Sequence, residues 1–434
     1  MSGTGRNGGP SRRDMLRLGG VAVAAGTVGG IAGFPAIAQS RAFKIGYVTP
    51  TTGALAPFAE ADSFILGAVR KQFGNGVRMG GKTVPVEIIV KDSQSNPNRA
   101  AEVATDLINQ DIDLMLVAST PETTNPVGDQ CEVNEVPCVS TMSPWQPWFF
   151  RSSSVTPATV YKYTYHYFWG LEDVIGAYTS MWGQLATDKV VGGLFPNDGD
   201  GNAWGDKTLG FPPVLEKLKY KLIDPGRFQD MTDNFSAQIG AFKQGNAEIV
   251  TGVVIPPDWA TFWTQARQQG FKPKIASVGK ALLFPVVLES LGNAGHNLST
   301  EVWWTPKYPY KSSLTGQTAQ QLADAWTAAT KKQWTQHIGF AHSLFEVAAD
   351  VMKRSKGPGD RAATLDAVRK TKLETVVGPI AWDGSGPNRN VSKTPLVGGQ
   401  WRLTHGGRYK YDLVIVSNTT APQIPVGGKM ELLS

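Results

Sequence analysis

From Phe43 onward, short apolar runs alternate with stretches of helical spacing, and that rhythm restricts the chain to a parallel α/β design. Phe43–Thr49 is a strand closed by the Pro/Thr/Gly loop Thr49–Gly53. Ala59–Phe73 then places Ala61, Phe64, Ile65, Ala68, Val69 and Phe73 at helical intervals. Gly80-Gly81-Lys82 marks a turn and Val84–Val90 a strand. Asn96-Pro97 opens a helix to Gln110, since Pro early in a helix loses only an unneeded N–H. Leu114–Val117, Glu122–Val133 and Pro137–Thr141 follow as strand, helix and strand. The order βαβαβαβ predicts a doubly wound parallel sheet.

The same grammar restarts after Pro157. It predicts a helix over Tyr161–Gln184, a strand at Lys189–Phe195, and helices at Phe211–Leu218 and Phe235–Gln244. Ile249–Ile255 is a strand, Trp259–Gln269 a helix and Lys274–Val278 a strand. Amphipathic helices at Thr318–Lys332 and Gly339–Lys353 come next, and Trp401–Ser417 alternates like antiparallel strands. A chain of 434 residues, 41% hydrophobic and 18% charged, is long enough for two cores. The fold class expected is α/β, two Rossmann-like lobes with the chain crossing between them. Ligands bind such sheets beyond the carboxyl ends of their strands, here between the lobes.

The first 38 residues read as a leader. Ser11-Arg12-Arg13-Asp14-Met15-Leu16-Arg17 precedes a weakly apolar Gly/Ala run, and Pro35-Ala36-Ile37-Ala38 supplies an A-x-A cleavage pattern. This resembles a cleaved twin-arginine export signal, so the protein is expected in the periplasm. The leader's four arginines and one aspartate account for half of the net charge of +6. No Lys/Arg-rich run follows, which argues against nucleic-acid binding. The only cysteines, Cys131 and Cys138, fit neither a redox pair nor a zinc half-site, and an oxidising compartment predicts a disulfide between them.

Catalytic and cofactor patterns are weak. Gly199-Asp-Gly201-Asn-Ala-Trp-Gly205 spells a dinucleotide-like motif, but Pro196-Asn197-Asp198 separates it from its strand and Trp204 is bulky where backbone must approach closely. A glycine-rich cleft loop fits it better. His166, His296, His337, His342 and His405 are scattered, so no metal is expected, nor a cofactor or an enzyme. Hydroxyls and aromatics at strand ends stand out instead. Ser119-Thr120-Pro121-Glu122-Thr123 and Ser140-Thr141-Met142-Ser143-Pro144-Trp145 each follow a strand and open a helix, where they serve either as N-caps or as a ligand's hydrogen-bonding partners.

Phe43–Phe58, Gly80–Lys82, Val86–Asp92, Asn96–Ala104, Glu248–Gly270, Leu291–Gly295 and Val377–Asp383, taken together, resemble the branched-chain amino-acid-type solute-binding proteins of bacterial ABC importers. The resemblance implies a type I periplasmic binding fold with three crossovers, a small-molecule ligand, an inner-membrane ABC permease as partner, and a monomer. Lobe 1 is expected to comprise residues 39–157 and 305–378, and lobe 2 residues 158–304 and 379–434. By the same resemblance Phe58 faces the cleft, the Ser119–Thr123 and Ser140–Ser143 loops hold the ligand's carboxylate, and Trp204 and Ile255-Pro256 face them from the second lobe, with Trp145 nearby. Amino-acid binders carry an acid just after the strand matching Lys274–Val278, to pair with the ligand's ammonium. Here the segment reads Ser277-Val278-Gly279-Lys280-Ala281, without one. Lys280 is therefore expected to attract a carboxylate, which favours an organic or aromatic acid over leucine or valine. A branched-chain amino-acid or amide binder, a twin-arginine-exported oxidoreductase and a ligand sensor are the competing readings.

Overall fold

The computed structural model describes residues 41–433 together with Gly3. The leader motif, its cleavage pattern and Ser434 lie outside the described residues.

Two sheets organise the chain. The first runs Val391–Ser392, Thr164–Tyr167, Cys138–Thr141, Leu114–Ala118, Phe43–Thr49, Val86–Asp92, all parallel. Leu114–Val117 are fully buried, as a parallel strand covered on both faces requires. The second runs Tyr411–Ser417, Val397–Leu403, Ser299–Val302, Ile275–Lys280, Ile249–Val254, Val190–Leu194, Lys221–Ile223. Its five inner-chain strands are parallel and its last two, from the C-terminal tail, pair antiparallel.

Between the sheets the chain crosses three times: after Tyr167, after Val302 and after Ser392. The helix Leu171–Trp182 packs on the second sheet, and the long helix His337–Arg354 returns to pack on the first. Asn96 caps its helix by accepting the Arg99 N–H, with Pro97 in the first turn, as expected.

Three expectations need correction. The helix expected over Tyr161–Gln184 is instead a strand, Thr164–Tyr167, then a helix from Leu171 to Trp182. The run TYHY is buried at every position and shows no alternation, so its period could not reveal it. As a result the first sheet takes in strands at 164–167 and 391–392, outside the ranges 39–157 and 305–378. The glycine-rich segment is no loop: Gly199–Trp204 is a short helix whose N-cap Asp198 accepts the Gly201 N–H at 2.6 Å. Cys131 and Cys138 are free thiols, both fully buried. Burial, with Cys138 alongside, pushes the Cys131 thiol well above its ordinary value, so it stays protonated.

Candidate functional site

Strand ends of both sheets meet in one cavity. Its first-sheet wall is Phe58, Thr120, Met142, Pro144, Phe168 and Trp169; its second-sheet wall is Asp200, Trp204, Val253, Lys280, Leu283, Glu301 and Trp303. Most of these residues stand at or just past a strand's carboxyl end, where an α/β sheet leaves room for a ligand. The closed cavity encloses about 20 Å³, room for about one water molecule.

Aromatic rings dominate the walls. Phe168 meets Trp303 edge-on at 5.1 Å, and Phe58 meets Phe284 at 5.4 Å and His337 at 4.8 Å. The indole N–H groups of Trp169, Trp204 and Trp303 are buried and have no hydrogen-bond partner, and neither does the Thr120 hydroxyl. Thr120 occupies the N-cap position of the helix Pro121–Val133 but makes no side-chain cap bond. Buried donors without acceptors cost roughly 1–3 kcal/mol each, so the four among this cavity's lining are available to acceptor atoms, although the buried indoles of Trp148, Trp259 and Trp304 are unpartnered elsewhere.

At the second-lobe end sits a charge cluster. The Lys280 ammonium lies 2.5 Å from Asp198 Oδ2 and 2.9 Å from Asp200 Oδ2, all three side chains being buried. From the first lobe, Glu122 Oε1 accepts the Gly199 N–H at 2.7 Å. Burial works against the Lys280 charge, but Asp198, Asp200 and Glu122 hold it firmly protonated. Burial lifts Asp198 to about 6 and Asp200 to about 7 in spite of Lys280. Glu301 accepts the Tyr178 hydroxyl at 2.5 Å and the Thr300 hydroxyl at 2.9 Å, and burial raises its carboxyl too.

Of the residues singled out from the sequence, Phe58, Thr120, Met142, Trp204 and Lys280 line the cavity and the others do not. Ser119 and Thr123 are buried behind Thr120 with unpartnered hydroxyls, and Glu122 bonds across to Gly199. Thr141 donates its hydroxyl to the Tyr167 carbonyl and Ser143 to the Pro144 carbonyl, so both are spent on their own lobe. Trp145 donates to Glu172 and packs beside Phe149 and Phe150, away from the cavity. Ile255 caps the helix Pro256–Gln268, and it is Val253 that reaches the site.

The Lys280 expectation is overturned. The acids thought missing from the cleft come from Asp198 and Asp200, 82 and 80 positions away, and they neutralise the lysine. Lys280 is therefore already paired within its own lobe. The same helix disposes of the dinucleotide motif, because Glu122 and Asp198 already occupy the N–H groups a phosphate would need. Phe168, Trp169, Asp200, Glu301 and Trp303 were missed; a search of every strand end for aromatic or acidic residues would have found Trp169 and Trp303.

Residues 42–402 match the family model described as Periplasmic binding protein. The chain belongs to that family. Its fold is the type I architecture of the substrate-binding proteins of ABC transporters, two lobes joined by three crossovers. This periplasmic binding protein is similar to the branched-chain amino acid transporter substrate-binding protein of Streptococcus pneumoniae, solved with isoleucine: 15% identity, TM-score 0.66, covering 86% of this chain and 100% of that one. A solute-binding protein of an ABC transporter from Rhodopseudomonas palustris, in complex with 3,4-dihydroxybenzoic acid, gives 16%, 0.66, 88% and 99%. A fatty acid ABC transporter substrate-binding protein from Thermomonospora curvata gives 16%, 0.66, 89% and 96%. A comparison with curated protein sequences gives no match. At these identities the likeness speaks for the fold, and the periplasmic binding protein's ligand has to be argued from its own cavity. Among the described residues no helix is long and apolar enough to cross a membrane.

Proposed function

We propose that this chain captures a small aromatic acid bearing a hydroxyl group and hands it to an ABC permease, as a single chain exported by the twin-arginine route and working in the periplasm. The carrying observation is the cavity wall: five aromatic side chains, three of them with unpartnered indole N–H groups. Ring faces cover a flat apolar body, and indole N–H groups with Thr120 donate to a carboxylate. At the other end Asp200 Oδ1 lacks a partner and suits a ligand hydroxyl. The relative solved with 3,4-dihydroxybenzoic acid supports this class, while the relative solved with isoleucine supports the competing branched-chain reading.

A calorimetric panel separates the two. 4-Hydroxybenzoate and 3,4-dihydroxybenzoate should bind and leucine should not. At about 100 times Kd a bound acid should stabilise the fold by about 2.7 kcal/mol. Trp303→Phe, which keeps a ring but loses the N–H, should weaken binding about tenfold. Tight leucine binding with no response to the aromatic acids would refute the aromatic reading.

A further inference from the structure

Two carboxylates pair with one ammonium where the lobes meet, and a third lies beside them. Glu122 comes from the first lobe, Asp198 and Asp200 from the N-cap and first turn of the helix Gly199–Trp204, and Lys280 from the end of its strand. One oxygen of each carboxylate lies within 4.8 Å of the other two. Among the described residues, Lys280 is the one cation in salt-bridge contact with the group. Arg227 reaches the same short helix, donating to Asn202, but its ion pair is with Asp224. Asp258, from the helix Pro256–Gln268, and Asp230, from the loop before the helix Ser236–Gln244, also act on the cluster, and Glu301 lines the same cavity. Glu122 Oε2 and Asp200 Oδ1 are buried without partners. Fully ionised, the closed arrangement buries an excess of negative charge, which low-dielectric surroundings penalise heavily.

Opening the cleft would carry Glu122 away with its lobe and admit water to both aspartates. We propose that closing the cleft takes up a proton, held by the Asp198–Asp200 pair, so that acidification below neutral pH drives the lobes together. Asp200 Oδ1, free of partners, holds the proton while Oδ2 keeps Lys280. The titration of such a coupled pair belongs to both residues. Burial lifts them to about 7 and about 6, above the ordinary carboxylate value, so the closed form binds the proton more tightly than the open one. Falling pH therefore favours closure. Glu122 has the opposite sign: burial opposes its charge, but Lys280 and backbone N–H groups, that of Gly199 among them, hold it below its ordinary value. Protonation of Glu122 at lower pH removes its own contribution to closure. A single group at about 7 in the closed form shifts the opening equilibrium about tenfold toward closure between about pH 8 and about pH 6.

This rests on the reading of the site as a hinged cleft, but not on the ligand class. Small-angle scattering of the ligand-free protein should give a smaller radius of gyration at about pH 6 than at about pH 8. Asp200→Asn should stay compact at both, and Asp198→Asn, should the first variant fold poorly, should show a reduced response. Glu346→Gln should respond like the wild type, since Glu346, although burial lifts it to about 7 as well, lies away from the cavity and bonds Ser313 and Val376. A response that survives Asp200→Asn, or disappears in Glu346→Gln, overturns the proposal. So does compaction that depends on an added divalent cation rather than on pH. Where calorimetry shows that 4-hydroxybenzoate binds, compaction by it without compaction by acid would overturn the proton and leave the hinge, and no compaction by either would overturn the hinge itself.

Discussion

Lys280 ends its strand with φ at +57°, and Met142, across the cavity, has φ at +70°. Non-glycine residues in this region of backbone space cost roughly 1–3 kcal/mol and persist where surrounding structure holds them. At Lys280 the holding groups are Asp198 and Asp200, which fix the ammonium as the chain turns. Lys280→Met would leave two buried aspartates without their cation. The expected loss is about 3–5 kcal/mol near neutral pH, read as a lower urea midpoint. Both aspartates are raised in the fold, so they take up protons as pH falls, and the loss should shrink toward about pH 5. An equal loss at both pH values would show that packing, not charge, is what Lys280 supplies. The lysine itself was plain in the sequence, but its partners were not. A contact spanning some eighty positions leaves no local period or motif behind.

Elements were more legible than residues. Strands buried on both faces, such as Leu114–Ala118, appear as unbroken apolar runs, and helices with one buried face keep their spacing. Thr164–Tyr167 escaped because TYHY is neither an apolar run nor an alternating one, and Val391–Ser392 because two residues are too short to display any pattern. The hydroxyl-rich strand ends were recognised, but the side chains committed to capping or to their own lobe were not distinguishable from the free ones. Thr120 shows the difference. A Thr N-cap that bonds its helix is worth about 1 kcal/mol, and Thr120 makes no such bond. Thr120→Ala should therefore change stability by less than about 0.5 kcal/mol in a denaturant titration while weakening 4-hydroxybenzoate binding several-fold. A stability loss of a full cap would mean that the hydroxyl serves the helix after all.

Across the whole molecule, neither lobe is a continuous stretch of chain. The first sheet closes only when Val391–Ser392 pairs with Thr164–Tyr167, and the second only when the tail strands from Val397 to Ser417 reach Ser299–Val302. The first sheet is complete only after the chain has crossed twice, and the second only after it has crossed a third time. Calorimetric unfolding should therefore appear as one transition, and two well-separated peaks would contradict that coupling. The closed cavity has a consequence in time as well. A space for about one water admits no ring, so a solute must wait for the lobes to part before it can enter. Capture then follows the breathing of the protein rather than the arrival of solute. Association rates should level off as solute becomes abundant, and the plateau reports how often the door opens.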